Sequence, residues 1–380
     1  REAGVYRIES RSHVNRYQLF VERALQLARP GCRIGLVLPS GAVTDAGSAP
    51  LRRHLFERAD VDSVTGLDNR GGIFPIHRSL RFVLLTATTG RPTHEIACRF
   101  GVTRTEDLDT RDRQRAPLVI TRPLLSRLSG SDDLGIPEVV TERDLRILEK
   151  IAARVCWLGA ADGWNVRFGR ELNATDDRGA FAPFSGADGA RPVLEGKQID
   201  PFRVSMDGCR YELRAGGTTK RVVRRARLAY RDIASATNRL TLIAAVIPPR
   251  AVTTHTLFCL KTTLPVDAQH VLCALLNSFV ANYLIRPRVN THVTVGLVSR
   301  LPVPVVRRSD QAFSKLETLS RVLAGGGRTV EGMPQYVELQ ALVARLYGLT
   351  EEDFEHVLAT FPLIPAEVRA RALLDFRNLH

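Results

Sequence analysis

Phe74 stands between Gly71-Gly72 and Pro75, in a turn where a large apolar side chain has less reason to be buried than on a helix or strand. An aromatic face held on such a turn is a stacking surface. The other residues able to do chemistry are cationic. Lys220, Arg221, Arg224, Arg225, Arg227 and Arg231 form the densest basic run of the chain. In an extended segment Arg225, Arg227 and Arg231 point to one face, because side-chain directions alternate. Such a stripe suits phosphate contacts, which position a protein on a nucleic acid without reading its sequence; the alternative is a solvated Arg-rich surface. Lys197 lies in a Gly-Lys-Gln loop. Asn290-Thr291-His292 comes after the turn Arg286-Pro287-Arg288 and offers polar tips that either read base edges or simply turn the chain.

Other chemistries find no support. None of the nine histidines has a partner at a ligand spacing such as i, i+4, and no Ser/His/Asp arrangement stands out. The six cysteines are scattered and never form C-x-x-C, so neither a metal site nor a small disulfide framework is indicated, and a reducing cytoplasm fits best.

The elements that must position these residues fall into blocks. Leu19, Ala24, Leu25 and Leu27 recur at helical spacing and Pro30-Gly31 closes that helix. Ile34 to Leu38 is apolar on both faces, as in a buried parallel strand. Ser48 stands where it can cap a helix bearing Leu51, Leu55 and Phe56, and strands come next over 61–67 and 81–86. Residues 90–137 are polar, densest in charge over 104–115, and read as an inserted or linking region; 142–153 reads as a helix. Short strands broken by Gly and Pro then run over 155–305, among them 227–231, 240–247 and 256–260, interrupted by one helix over 268–284. The tail from Asp310 is helical, with Thr350 and Asp353 forming a capping box.

With 380 residues the chain has room for two or three domains. No stretch reaches the ~18 uninterrupted apolar residues of a membrane span. The chain opens at Arg1 rather than Met, which fits a start cut from a longer protein as well as processing. A net charge of +14 suggests a polyanionic partner. Only five of the 54 basic residues are lysine, and so strong an Arg preference reflects base composition of the genome as readily as function.

Several segments resemble one family in order along the chain. Asn15 to Ala24, Leu27 to Arg33 and Ile34 to Ser40, then Gly72 to Phe82, look like the second half of the γ-class adenine-N6 DNA methyltransferases, the TaqI-like enzymes of restriction-modification and phage-defence systems. Pro192 to Ile199, Tyr230-Arg231-Asp232-Ile233, Ile243 to Pro249 and Ser299 to Pro304 resemble landmarks of the TaqI-type specificity domain. The resemblance implies S-adenosylmethionine as methyl donor and double-stranded DNA as partner. It implies that Phe20 lines the donor's adenine pocket and that Phe74 stacks on the target adenine once it is flipped from the duplex. A flipped base loses its stacking neighbours, and an aromatic face restores ~1–3 kcal/mol per base. Phe20 also sits among apolar residues at helical spacing, so an ordinary core position is the alternative. Lys197 and Arg231 fall on specificity-domain landmarks; with Arg225, Arg227, Asn290 and His292 they are the expected DNA contacts, and no metal is expected.

Two elements of that family are absent from the sequence: the Gly-rich turn after the first strand, which approaches the donor, and the Asn/Asp-Pro-Pro-aromatic loop that holds the adenine amino group. The one Pro-Pro pair, Pro248-Pro249, comes after Ile247 and precedes Arg250, within the recognition region. Both elements lie upstream in the family, so the resemblance implies a missing N-terminal methyltransferase half, in the same gene or a partner chain, and an isolated chain that is inactive.

The expected fold class is therefore α/β, an incomplete Rossmann-like methyltransferase sheet, followed by a mixed α+β, strand-rich DNA-recognition domain and a helical C-terminal tail. The expected boundaries are 1–100 for the methyltransferase half, 101–154 for a linker with a helix, 155–305 for the specificity domain and 306–380 for the helical region. A non-catalytic DNA-specificity subunit is the rival reading, though such a subunit has no use for Phe20 and Phe74 in methyltransferase context. An Arg-rich RNA-binding protein is a third, opposed by an aromatic content of 6% and the lack of a recognised RNA module.

Overall fold

The computed structural model describes residues 6, 8, 15–78, 80–108, 116–214, 224–235, 238–289, 291–326 and 329–379. It is mixed α/β, with several small sheets and a helical C-terminus. The chain forms two compact units, Arg1–Ala153 and Arg154–His380. Among the described residues no single helix is long and apolar enough to cross a membrane.

The first unit is built on a five-stranded sheet in the order β1-β3-β2-β4-β5. Its strands are β1 (Arg33–Pro39), β2 (Ala59–Asp68), β3 (Arg81–Thr89), β4 (Glu95–Val102) and β5 (Leu118–Thr121). Helices α1 (Arg16–Leu27), α2 (Gly41–Thr44), α3 (Ala49–Arg58), α4 (Arg122–Ser129) and α5 (Glu142–Arg154) accompany it. Strand β3 is antiparallel to both β1 and β2, and β4 is parallel to β2. Strands β1, β2 and β4 therefore share one direction. The centre is sealed by Val61, Val64, Val83, Ala87 and Ile120.

Within 90–137 the described residues add two strands, β4 and β5, to the sheet. Ile96, Cys98, Phe100 and Val102 alternate inward along β4 while Glu95 and Gly101 face out, the period-two pattern of a half-buried strand. The neighbouring charge over 104–115 hides that pattern. Arg52 then ties the segment after α4 to α3. Its guanidinium is fully buried, donates to the carbonyls of Ala42, Asp45 and Asp133, and pairs with the Asp133 carboxylate. Burial pulls the Arg52 pKa below its ordinary value, against the opposing pull of Asp133. Ser48 precedes α3 without capping it; its hydroxyl meets Tyr17 Oη at 2.8 Å instead.

The second unit holds three small sheets and seven helices among its described residues. One sheet runs β13-β12-β15-β6, from Ala244–Ile247, Arg227–Arg231, Leu257–Leu260 and Phe168–Gly169. A second runs β14-β8-β11-β7, from Val252–Thr253, Pro192–Leu194, Tyr211–Leu213 and Phe181–Pro183. The third is the pair β9 (Ile199–Asp200) and β10 (Arg203–Val204). Leu194, Ile199, Ala229, Ala245, Ile247 and Leu257 form a shared core. The helices are α6 (Val266–Leu276), α7 (Phe279–Ile285), α8 (Val295–Ser299), α9 (Gln311–Gly325), α10 (Pro334–Leu346), α11 (Glu351–Ala359) and α12 (Ala366–Asn378).

The single helix expected over 268–284 is two, bent by 64°. Asn277 closes the first and Ser278 caps the second, its hydroxyl accepting from the Ala281 N–H at 3.0 Å. The break lets two buried amides serve the sheet. Asn282 Oδ1 accepts from the N–H groups of Thr241 and Leu242, and Asn277 Oδ1 from that of Ala244. Unpaired buried amides are costly, so the bend and the start of β13 depend on each other. The capping box of Thr350 and Asp353 opens α11 as expected.

Candidate functional site

Phe74 lies on the loop from β2 to β3, beyond the carboxyl end of β2 and hence on the side where β1 and β4 also end. In open α/β sheets ligands bind at that side. A short 3-10 turn, Asn69–Gly71, starts the loop, and Gly72 comes next with φ +77°. A Cβ on Gly71 would run into the Thr103 carbonyl, so the Gly-Gly pair serves close approach and a left-handed turn together. Asn69, fully buried, clasps the rest of the loop. Its Oδ1 accepts from the Phe74 N–H at 2.9 Å, and its Nδ2 donates to the carbonyls of Phe74, Ile76 and His77 at 3.1, 3.2 and 3.4 Å. Ile73 packs inward against Leu67, Phe82 and Val102, and this anchors one side of the turn. Phe74 itself is 39% exposed, with its ring centroid 4.7 Å from that of buried Phe82. Ile76 and Leu80 beside it are also exposed.

Beneath the loop Arg81 pairs with Glu138. Burial raises the Glu138 pKa, Arg81 opposes the rise and Asp68 adds to it. Sequence reasoning does not single out Asn69 or Glu138. The asparagine directly before the Gly-Gly turn is the available signal for one; nothing local marks the other.

Phe20 is on α1 and 72% exposed, which excludes the ordinary core position within this structure. Leu27, two turns along the same helix, and Val37 on β1 are exposed at 67% and 57%. Among the described residues β1 pairs with β3 alone. An apolar helix face and an apolar edge strand are thus left uncovered together. The structure does not bring Phe20 into a described cavity.

In the second unit the basic residues expected to form one stripe part company. Arg225 is exposed ahead of β12 and donates to Thr263 Oγ1 at 3.2 Å. Arg227 is a correction: it is 4% exposed, and its Nε and Nη2 each meet a Glu171 oxygen at 2.6 Å. Glu171 in turn accepts from the N–H and hydroxyl of Thr253. Burial works against both charges, but these bonds outweigh it, so the Glu171 pKa falls below and the Arg227 pKa rises above its ordinary value. Arg227 is therefore a strut of the fold. Arg231 is half-buried and spends Nη2 on the Ile199 carbonyl and the Asp200 carboxylate. Lys220, Arg221 and Asn290 lie outside the described residues.

Lys197 and His292, 95 positions apart in sequence, are drawn to one framework. Lys197 is 53% exposed on the turn Gly196–Gln198, whose Gly196 N–H donates to Thr256 Oγ1 at 2.9 Å. The Thr256 carbonyl accepts from the Asp232 N–H at 3.0 Å, and the Val293 N–H donates to the Asp232 carbonyl at 2.7 Å. His292 stands 3.1 Å from the Asp232 carboxylate, which also pairs with Arg170. Arg170 and the role of Asp232 escape sequence reading, because only folding brings positions 170, 232 and 292 together. Among the described residues no group of three or more His, Cys, Asp or Glu is placed to hold a metal.

No family model and no curated protein matches this chain. Among solved structures, it is similar to the type IIL restriction-modification enzyme MmeI in complex with DNA, with a TM-score of 0.54 and 10% identity over 96% of this chain and 52% of MmeI. The type IIG restriction endonuclease BpuSI matches 99% of the chain and 50% of its own length at 12% identity, with a TM-score of 0.37. The ATP-dependent type ISP restriction-modification enzyme LlaBIII, bound to DNA, matches 85% of the chain and 27% of its own length at 10% identity, with a TM-score of 0.46. The MmeI likeness shows a shared fold, and the other two are too distant to add to it. The chain spans about half the length of MmeI and of BpuSI.

Proposed function

We propose that this chain is part of a site-specific, adenine-N6 DNA methyltransferase of a restriction-modification system, combining the second half of a Rossmann-like methyltransferase domain with a TaqI-like specificity domain. The observation that carries the reading is the Phe74 loop: an aromatic ring held out at the carboxyl side of the strands by a buried asparagine. A ring so placed offers a face to a base that has left its stack. The fold shared with half of MmeI is consistent with it.

S-adenosylmethionine, when bound, would supply the methyl group as a sulfonium. The residues present fit it only in part: Phe20 offers one exposed aromatic wall, and no turn of the donor-binding type accompanies it. This chain's own part is to stack the base through Phe74 and to hold the duplex through its second unit. The donor-binding turn and the amine-orienting loop would come from sequence outside these 380 residues, added at the open edge of β1.

The test is to read the DNA upstream of the Arg1 codon and to express the chain with the sequence or neighbouring gene found there. Host DNA is then digested and its nucleosides are identified by mass spectrometry. N6-methyladenine that appears with the pair and falls sharply with Phe74→Ala is the expected result. Methylcytosine alone, or N6-methyladenine indifferent to Phe74→Ala, overturns the assignment.

A further inference from the structure

Asp232 comes directly after β12, and its side chain is only 4% exposed, yet it meets two partners, Arg170 and His292. Arg170 Nη2 donates to Oδ2 at 3.1 Å, and His292 Nδ1 lies 3.1 Å from Oδ1. A carboxylate can only accept, so the bond assigns the hydrogen to Nδ1. Arg170 and His292 keep 53% and 54% of their side-chain surface exposed. The Arg170 guanidinium also rests 5.0 Å over the Phe258 ring, which limits its motion. Of its five N–H donors, one is used on Asp232, and the side chain is half-exposed.

Nearby arginines are committed elsewhere: Arg227 to Glu171, Arg231 to Ile199 and Asp200, Arg210 to both Glu195 oxygens. Lys197 shares Glu195 with Arg210; Arg170 differs in having a single Nη2 bond to a carboxylate that is itself 4% exposed. The Thr256 bridge places the Lys197 turn against the same backbone, and Ile233, 62% exposed, pairs with His292 in an isolated bridge. A half-exposed guanidinium held on a buried carboxylate and over an aromatic ring suits a phosphate, which rewards a pre-organised fork.

Resting on the DNA-methyltransferase reading, we propose that Arg170 is a duplex phosphate contact and that Asp232 is the positioning residue holding Arg170 and His292 against the DNA backbone. The pair acts in positioning the duplex, not in selecting its sequence.

The experiment uses the purified 380-residue chain and a fluorescein-labelled, mixed-sequence DNA duplex, with anisotropy titrations over a series of salt concentrations. Arg170→Ala should weaken binding several-fold at low salt and reduce the slope of log affinity against log salt by about 0.9, the value of one phosphate contact. Arg170→Lys should restore most of the slope, because the charge returns. In an Asp232→Asn background Arg170→Ala should have a smaller effect than in the parent chain, a coupling that general loss of stability does not produce. Should Asp232→Asn fail to fold, the two Arg170 variants, half-exposed and cheap to the fold, decide alone. An unchanged slope for Arg170→Ala, in a parent chain that binds duplex DNA, overturns this proposal and leaves the methyltransferase reading standing. Failure of the parent chain to bind any duplex overturns both.

Discussion

Asn69 and Phe74 hold each other through a reciprocal pair of hydrogen bonds, Phe74 N–H to Asn69 Oδ1 at 2.9 Å and Asn69 Nδ2 to the Phe74 carbonyl at 3.1 Å. One buried amide thereby does for the loop what a neighbouring strand would do for a strand. Asn69→Ala should leave those carbonyls and the Phe74 N–H without their partner, at about 1–3 kcal/mol for a lost buried group. Asn69→Asp should be no rescue, since it sets an acceptor against three carbonyls. Urea unfolding of the purified chain measures both. A cost below about 0.5 kcal/mol for Asn69→Ala, less than the net worth of one ordinary hydrogen bond, would mean that the loop keeps its shape without the clasp.

Phe74 and Phe82 offer a comparison within one ring pair. Phe82 is 6% exposed and Phe74 39%. A core Phe→Ala costs about 3–5 kcal/mol, which is the expectation for Phe82→Ala. Phe74→Ala should cost clearly less, because much of its ring already meets solvent. Equal losses in the same unfolding assay would make Phe74 a structural residue and remove the ground for its stacking role.

These two side chains also show what the sequence makes legible. Gly71-Gly72 and Pro75 mark the Phe74 turn, since chain reversal demands such residues locally. The apolar runs that form β1, β2, β3, β12 and β15 announce themselves by composition. But β1 is not the buried parallel strand that its run suggests: it lies at the sheet edge, antiparallel to β3, with Leu38 its one buried residue. Strand β4 is harder to see although Ile96, Cys98, Phe100 and Val102 alternate cleanly, because the charged stretch just after it suggests a linker. Arg227 is unreadable for a deeper reason. Nothing within its own segment distinguishes it from exposed Arg225; its burial depends on Glu171, 56 positions away. The Asp232 anchor is of the same kind. Local pattern predicts elements, whereas side-chain partners across the fold decide which charged residues remain available for a ligand.

Glu171 and Arg227 form a buried pair whose loss should be read in both stability and pH dependence. Glu171→Gln leaves the buried Arg227 charge uncompensated and should cost about 3–5 kcal/mol. Replacing both, as Glu171→Leu with Arg227→Met, should cost less than either single change, because no orphaned charge remains. The folded-state pKa of Glu171 lies below its ordinary 4.5. Its contribution is therefore complete above that ordinary value, where both states are ionised, and is lost as pH falls through the depressed folded value. Stability of the parent chain should drop in that acid range more steeply than that of Glu171→Gln. Parallel curves down to the acid limit would mean that the pair carries no linkage.

The open edge of β1 should govern how the isolated chain behaves in solution. Val37 is 57% exposed on that strand, Phe20 and Leu27 are 72% and 67% exposed on α1, and the described pairing of β1 is confined to β3. An unpaired strand edge offers a row of backbone donors and acceptors to any similar edge, and adjacent apolar side chains add area that water disfavours. The purified chain should therefore self-associate with rising concentration. Val37→Lys places a charge on the edge, a device that natural sheets use against such pairing, and Phe20→Ser removes exposed aromatic surface. Each should shift sedimentation toward the monomer, and together they should do so more than either alone, with little cost in unfolding stability because neither side chain is buried. The same double variant should bind duplex DNA as the parent chain does, since neither position is Phe74 and the proposed phosphate contacts lie in the second unit. Self-association that ignores both substitutions would place the sticky surface elsewhere, and with it the site proposed for adding the remainder of the sheet.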